Sequence, residues 1–296
     1  MPFLGLFFLR APANLLLSAF LFSFCHFHHN CWAQEPANDS GLKYPLALTA
    51  KGKNVFIADL ELPGILKFDG KHISAFHIGS SRTRGELNRP RCVALHPEGG
   101  LLVGDSATNE IYHVKGEGLA TKAITNGLAG TPMCLALNSS GETIFFGDAE
   151  SRSILKVPTV GGTPELLSEF NARGLCFDDQ HRLWALGTEK VCIVNLSTGR
   201  LVPVLESAPF EYPNSIFFWK GAVLVTDGYK NAIWRVDSTG ACSIWFEGAP
   251  IRLPVGIIGS DEYGVLVADP KSRSVYSIFD DKPTASSRIS TVVGNH

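Results

Sequence analysis

The chain has 296 residues, 45% of them apolar, 10% aromatic and 18% charged, and 26 Lys/Arg set against 28 Asp/Glu leave a net charge of −2. That balance excludes a disordered chain and a polybasic nucleic-acid binder, and it supplies no field that would steer a polyanion or an anionic membrane. With 29 Gly, 17 Pro and only two Met, and no four-turn window of apolar residues at a spacing of 3.6, the chain reads as a turn-rich β domain and not as a helical bundle.

Residues 1–33 carry one charge, Arg10, followed by the apolar run 13–25 and a polar stretch ending Cys31-Trp32-Ala33. The pattern predicts a secretory signal peptide cleaved after Ala33, with small residues one and three places before the cut. An uncleaved anchor is the alternative, but the run falls short of the roughly 20 residues that span a bilayer. A lipid anchor is disfavoured because Phe24 precedes Cys25 and Asn30 precedes Cys31. The expected location is the periplasm or the cell exterior, with no integral membrane domain left after cleavage. Residues 34–42 read as a linker and 43–296 as one domain.

From there the chain repeats itself. Pro45-Leu46-Ala47-Leu48, then Val55-Phe56-Ile57-Ala58-Asp59, then Ile65-Leu66-Lys67-Phe68 form the first copy. The second reads Pro90-Arg91-Cys92-Val93, Leu102-Val103-Gly104-Asp105 and Ile111-Tyr112-His113-Val114, and the third Pro132-Met133-Cys134-Leu135, Phe146-Gly147-Asp148 and Ile154-Leu155-Lys156-Val157. A degenerate fourth copy, Ala172-Arg173-Gly174-Leu175 with Leu183-Trp184-Ala185-Leu186, lacks both the Pro and the Asp. The fifth and sixth open at Pro213-Asn214-Ser215-Ile216 and Pro254-Val255-Gly256-Ile257 and carry Asp227 and Asp269. The openings at 45, 90, 132, 172, 213 and 254 lie about 42 residues apart, the length of one four-stranded propeller blade. Each copy holds three β-rich runs and a weaker fourth, such as 74–78 or 289–293, separated by turn residues. An all-β, six-bladed propeller of four-stranded antiparallel blades is therefore expected, with each blade contiguous in sequence; residues 34–44 are left free to add a strand.

Three slots recur. Two places after each opening stand Ala47, Cys92, Cys134, Gly174, Ser215 and Gly256, all small, as converging inner strands require. The repeat acids Asp59, Asp105, Asp148, Asp227 and Asp269 end the second strand before a polar turn, where a carboxylate accepts backbone N–H bonds. Immediately after the openings come Leu46, Arg91, Met133, Arg173, Asn214 and Val255, an asymmetric set expected at the channel mouth. Arginine forks suit carboxylate, phosphate or sulfate, and Asn orients a carbonyl or hydroxyl; alternatively, both arginines bond neighbouring loop carbonyls or the blade-end acids. Loops on the same face add Arg89 and Tyr212, and the longest, 79–89, is a candidate lid. The five cysteines after residue 33 (Cys92, Cys134, Cys176, Cys192, Cys242) lack zinc-binding spacing and read first as small buried hydrophobes, with at most two disulfides between them.

The repeat resembles the NHL-type propeller family, most closely in Leu87-Asn88-Arg89-Pro90-Arg91-Cys92-Val93-Ala94-Leu95 and in Thr291-Val292-Val293-Gly294-Asn295, and it overlaps with the regucalcin/gluconolactonase-like propellers over 43–294. The second resemblance implies a divalent cation, calcium or zinc, in the channel. Asn214 in Pro213-Asn214 matches its Asn ligand, while Leu46 and Val255 stand where its Glu and Asp would be. Amidating lyases of the NHL type hold zinc through channel histidines, whereas His72, His77, His96, His113, His181 and His296 here fall outside the inner strands. No Gly-x-Ser-x-Gly elbow occurs.

Two function classes follow. One is an exported, monomeric propeller that presents its channel face to a small anionic or sugar-like ligand, through Arg91, Arg173, Asn214, Arg89 and Tyr212, or its loops to a protein partner. The other is a lactonase, esterase or lyase with a degenerate metal site, in which the arginines bind a carboxylate or an oxyanion and Asn214 orients the reacting group. A free carboxylate or histidine near the arginines separates the second from the first.

Overall fold

The computed structural model describes residues 41–80, 82, 87–116, 118–279 and 289–294, so the predicted signal peptide, residues 34–40 of the linker and residues 81 and 83–86 of the 79–89 loop lie outside the described residues. Each repeat folds into one antiparallel sheet whose four strands follow in chain order. Blades 1 to 6 span 45–78, 90–123, 132–168, 174–205, 213–247 and 257–293. Their inner strands are Pro45–Lys51, Pro90–Leu95, Pro132–Leu137, Gly174–Phe177, Pro213–Trp219 and Ile257–Ser260. Each packs against the inner strands on either side, and that of blade 6 packs against that of blade 1, closing the ring. Among the described residues there is no helix, and none long and apolar enough to cross a membrane.

Strand alternation builds the core. Successive side chains of an inner strand point to opposite faces, so Leu175 and Phe177 turn back toward blade 3, where they meet Cys134 and Ala136, while Cys176 turns forward to Ile216 of blade 5. Six such apolar clusters fill the six gaps between blades, with second-strand residues such as Ile57, Leu102, Phe146 and Val225 among their fully buried members. The second strands Leu101–Asp105 and Ala222–Asp227 are buried along their whole length. That is why they read as continuous apolar runs and not as alternating ones.

The repeat acids staple each blade to the loop that enters it. Buried Asp59 accepts from the backbone N–H groups of Lys43 and Tyr44 on the entering loop and from Glu61 and Leu62 on the following turn. Asp105 does the same with Asn88, Arg89, Ala107 and Thr108, Asp148 with Thr131, Glu150 and Ser151, Asp227 with Glu211, Tyr212 and Lys230, and Asp269 with Arg252, Leu253 and Ser272. Blade 4 lacks the acid and uses backbone instead, the N–H of Arg173 donating to Leu186 O at 2.7 Å. Its own buried carboxylate, Asp178, sits after the inner strand and accepts from Arg182 and from Trp184 Nε1.

The five cysteines among the described residues are free thiols, four of them buried and Cys242 half-buried. Each blade is contiguous, and residues 41–44 add no strand. Blades 6 and 1 are joined by packing of Leu266, Ala268, Val275 and Val293 against Leu42, Leu48, Val55 and Ile57, and by the Tyr263 hydroxyl donating to Lys53 O. Gly256 is needed at this closure, because a Cβ there would stand 2.7 Å from Leu46 O.

Candidate functional site

The channel holds a cavity of about 510 Å³, lined at its mouth by Leu46, Arg91, Met133, Arg173, Asn214 and Val255, with Tyr44, Leu60, Tyr212 and Leu253 from the adjoining loops. Backbone geometry accounts for four of the six. The flat faces of an inner strand pack largely against the neighbouring blades, and an interruption of alternation re-aims a side chain toward the channel. In blades 1, 2, 3 and 5 the pairing of the inner strand shifts register at this place, skipping Leu46, Arg91 and Met133 in the first three and Asn214 together with Ser215 in blade 5. Such a bulge leaves one residue unpaired and re-aims its side chain.

A donor relay runs around the ring just below. Cys92 Sγ lies 3.8 Å from Pro132 O and Cys134 Sγ 3.7 Å from Ala172 O, while Arg173 Nη1 donates to Pro213 O at 3.1 Å and Asn214 Nδ2 to Pro254 O at 3.3 Å. In these four steps one blade gives a donor to the opening carbonyl of the next. The thiols of blades 2 and 3 are weak donors, whereas blades 4 and 5 recruit Arg173 and Asn214.

The relay separates the two arginines. Arg173 gives one N–H to Pro213 O, and its guanidinium lies 4.7 Å from the centre of the Tyr212 ring. The other face of that stack is Tyr229, parallel to Tyr212 at 4.5 Å and 67% exposed. Arg91 is excused from the relay by Cys92. Its Nε donates to Ser106 Oγ at 3.0 Å, and its two terminal amino groups meet no partner among the described residues. The arginines thus divide between the two sequence alternatives: Arg173 is in part a structural donor, and Arg91 keeps its fork.

Among the residues lining the cavity these two guanidinium groups are the only charges, with no Asp, Glu or His beside them. A half-buried positive mouth with low-dielectric walls concentrates anions. The donor set does not fit a divalent cation. Asn214 spends its amide on Tyr212 O and Pro254 O, leaving Oδ1 alone, and Leu46 and Val255 supply no oxygen where carboxylate charge would be required. Among the described residues no group of three His, Cys, Asp or Glu could hold a metal.

The remaining sequence candidates fall elsewhere. Arg89 is exposed and outside the cavity lining, with its N–H on Asp105 and its carbonyl accepting from Ser106. Among the described residues no histidine lines the cavity, and His296 lies outside them; His96 and His113 form a parallel stack at 3.5 Å, and Glu98 N–H donates to His96 Nδ1 at 3.1 Å. The channel thiols are held protonated: burial and then the neighbouring Cys134 push Cys92 well up, and burial pushes Cys134 up to about 12. Tyr44 and Leu253, one place before the openings as Tyr212 is, and Leu60, one place after a repeat acid, also line the cavity; the sequence does not mark them, because the residue type at those two slots varies from blade to blade.

No family model matches the chain, and no curated protein matches it by sequence. Solved structures do resemble its fold. A nidogen/laminin complex chain superposes with a TM-score of 0.61 at 17% identity, over 78% of this chain and 88% of that one. A streptogramin B lyase gives 0.62 at 17% over 84% and 83%, and virginiamycin B lyase from Staphylococcus aureus 0.61 at 17% over 86% and 85%. At this identity the likeness establishes the six-bladed propeller and nothing about activity.

Proposed function

We propose that this chain is an exported propeller, kin to the NHL and gluconolactonase-like propellers, that binds a small organic anion at its channel mouth. The observation that carries the reading is Arg91. It is held in place through Nε by Ser106, its terminal amino groups have no partner among the described residues, and it stands in a lining with a second guanidinium and no carboxylate. Such a group presents two parallel donors to a carboxylate, phosphate or sulfate. Arg173, steadied by Tyr212 and Pro213 O, supplies the second positive charge. Asn214 Oδ1 offers an acceptor for a hydroxyl or amide of the same ligand.

Binding is favoured over catalysis because proton transfer needs a group that can gain or lose a proton near pH 7. The lining residues offer none, although two of the structural neighbours are lyases. The test is calorimetric and thermal-shift titration with carboxylates, phosphates and sulfates, since a native-state ligand raises the melting temperature by mass action. Arg91→Ala is expected to weaken anion binding by about 10- to 100-fold, the scale of a lost charged hydrogen bond, and Arg173→Ala to weaken it as well. Unchanged affinity in both folded variants would overturn the reading. A shift produced only by a divalent cation and reversed by a chelator would do so too.

A further inference from the structure

The cavity mouth is divided by polarity, and the division runs across the ring. Blades 2 and 4 contribute Arg91 and Arg173, either side of Met133 from blade 3. The sector facing them, where blade 6 meets blade 1, contributes the aliphatic Leu253, Val255, Leu46 and Leu60, with Tyr44 on the loop entering blade 1, all half-buried and none charged. Equivalent places in the repeat hold opposite chemistry. The residue after the opening proline is Arg91 in blade 2 and Leu46 in blade 1. The residue after the repeat acid is Ser106 in blade 2, where it accepts from Arg91, and Leu60 in blade 1. The fold tolerates either kind at both places, so the segregation is not imposed by packing.

We infer that the ligand is amphipathic: a single organic anion whose charged group sits on Arg91 and Arg173 while an aliphatic or aromatic body lies against Leu46, Leu60, Leu253 and Val255. This rests on the anion-binding reading above and adds the class of ligand. A cavity of about 510 Å³ lies within the range of small-molecule sites, in which apolar lining supplies affinity and a few polar groups fix orientation. A sugar acid would place hydroxyls against four aliphatic side chains that have no donor or acceptor to return, and desolvating them there is unfavourable.

Isothermal titration of the purified protein with acetate, butyrate, hexanoate and octanoate, with gluconate and hexylamine for comparison, reads this out. Affinity is expected to rise about three- to fourfold for each added methylene while the body still enters the cavity, with gluconate weaker than hexanoate and hexylamine not binding. Leu253→Asn and Val255→Asn, each checked by circular dichroism, are expected to flatten the series. A series that is flat in the unmodified protein, gluconate binding as tightly as hexanoate, or an unchanged slope in both folded variants would overturn the amphipathic ligand and leave anion binding standing. If no carboxylate binds, or if hexylamine binds as well as hexanoate, the anion reading itself falls and this inference with it.

Discussion

Volume at one position of an inner strand sets the volume allowed on its cross-strand partner. Ala47 faces Ala58, whereas Cys92 and Cys134 face Gly104 and Gly147. A Cβ on Gly104 would stand 2.5 Å from Cys92 Sγ, and one on Gly147 would stand 2.9 Å from Cys134 Sγ. Thiol and glycine are therefore one packing unit, and changing either side alone leaves a clash or a void. Gly104→Ala is expected to destabilise the fold by about 1–3 kcal/mol, the usual cost of overpacking, and adding Cys92→Ala is expected to recover most of that loss. Urea unfolding of the two single variants and the double variant measures the coupling, and strictly additive losses would refute it. The sequence shows that this slot must be small, because small residues fill it in all six copies. It hides the pairing, since the partner lies about a dozen residues on and is recognised only once the register is known.

Strands and their turns are held by acids, which links element stability to pH. Burial works to raise the Asp148 carboxyl, yet hydrogen bonds from Ser151, Thr131 and Glu150 outweigh it and hold it below its usual 3.8. Asp178 behaves alike, with burial overcome by bonds from Trp184 and Arg182. For His96, burial and then the adjacent His113 hold the imidazole below its usual 6.5. In all three cases the unfolded chain takes up the proton first. The stability they supply is therefore complete above the unfolded value and is lost as pH falls through it toward the folded one. Urea midpoints measured from pH 8 to pH 3 are expected to fall shallowly below pH 6.5 and more steeply below about 3.8. His96→Gln removes the first decline, and a flat profile between pH 7 and pH 5 would refute its origin. The elements themselves were legible because a period of about 42, repeated acids and β-rich runs leave few alternatives. Less was legible of the site. The bulges that turn Leu46, Arg91, Met133 and Asn214 into the channel are a matter of pairing count, with no residue type that marks them, and the relay that occupies Arg173 but spares Arg91 depends on contacts between blades.

The ring as a whole closes without exchanging a strand, so five of its six interfaces are tethered by the chain while the sixth, between blades 6 and 1, is held by packing and by Tyr263. Leu102 and Leu266 occupy the same place in blades 2 and 6. Both are fully buried, and each fills the gap to the following blade, Leu102 in a tethered interface and Leu266 in the untethered one. Truncating either leaves a similar cavity, so Leu102→Ala and Leu266→Ala are each expected to cost about 2–5 kcal/mol in global unfolding. Their local consequences differ. Where a loop connects the blades, transient separation is limited by the short tether, whereas at the untethered interface separation opens the ring itself. Hydrogen exchange is therefore expected to quicken in the inner strand Pro45–Lys51 and the strand Gly264–Asp269 of the Leu266→Ala protein before global unfolding does so elsewhere. No corresponding local acceleration is expected in Pro132–Leu137 of Leu102→Ala. Equal local acceleration in both variants would show that the sixth interface is no weaker than the rest. The mouth sector formed by Leu46, Leu60, Leu253 and Val255 spans that same interface, so a ligand lying across it bridges the one pair of blades the chain leaves untied. Bound ligand is accordingly expected to slow exchange at the seam of the unmodified protein more than at any tethered interface.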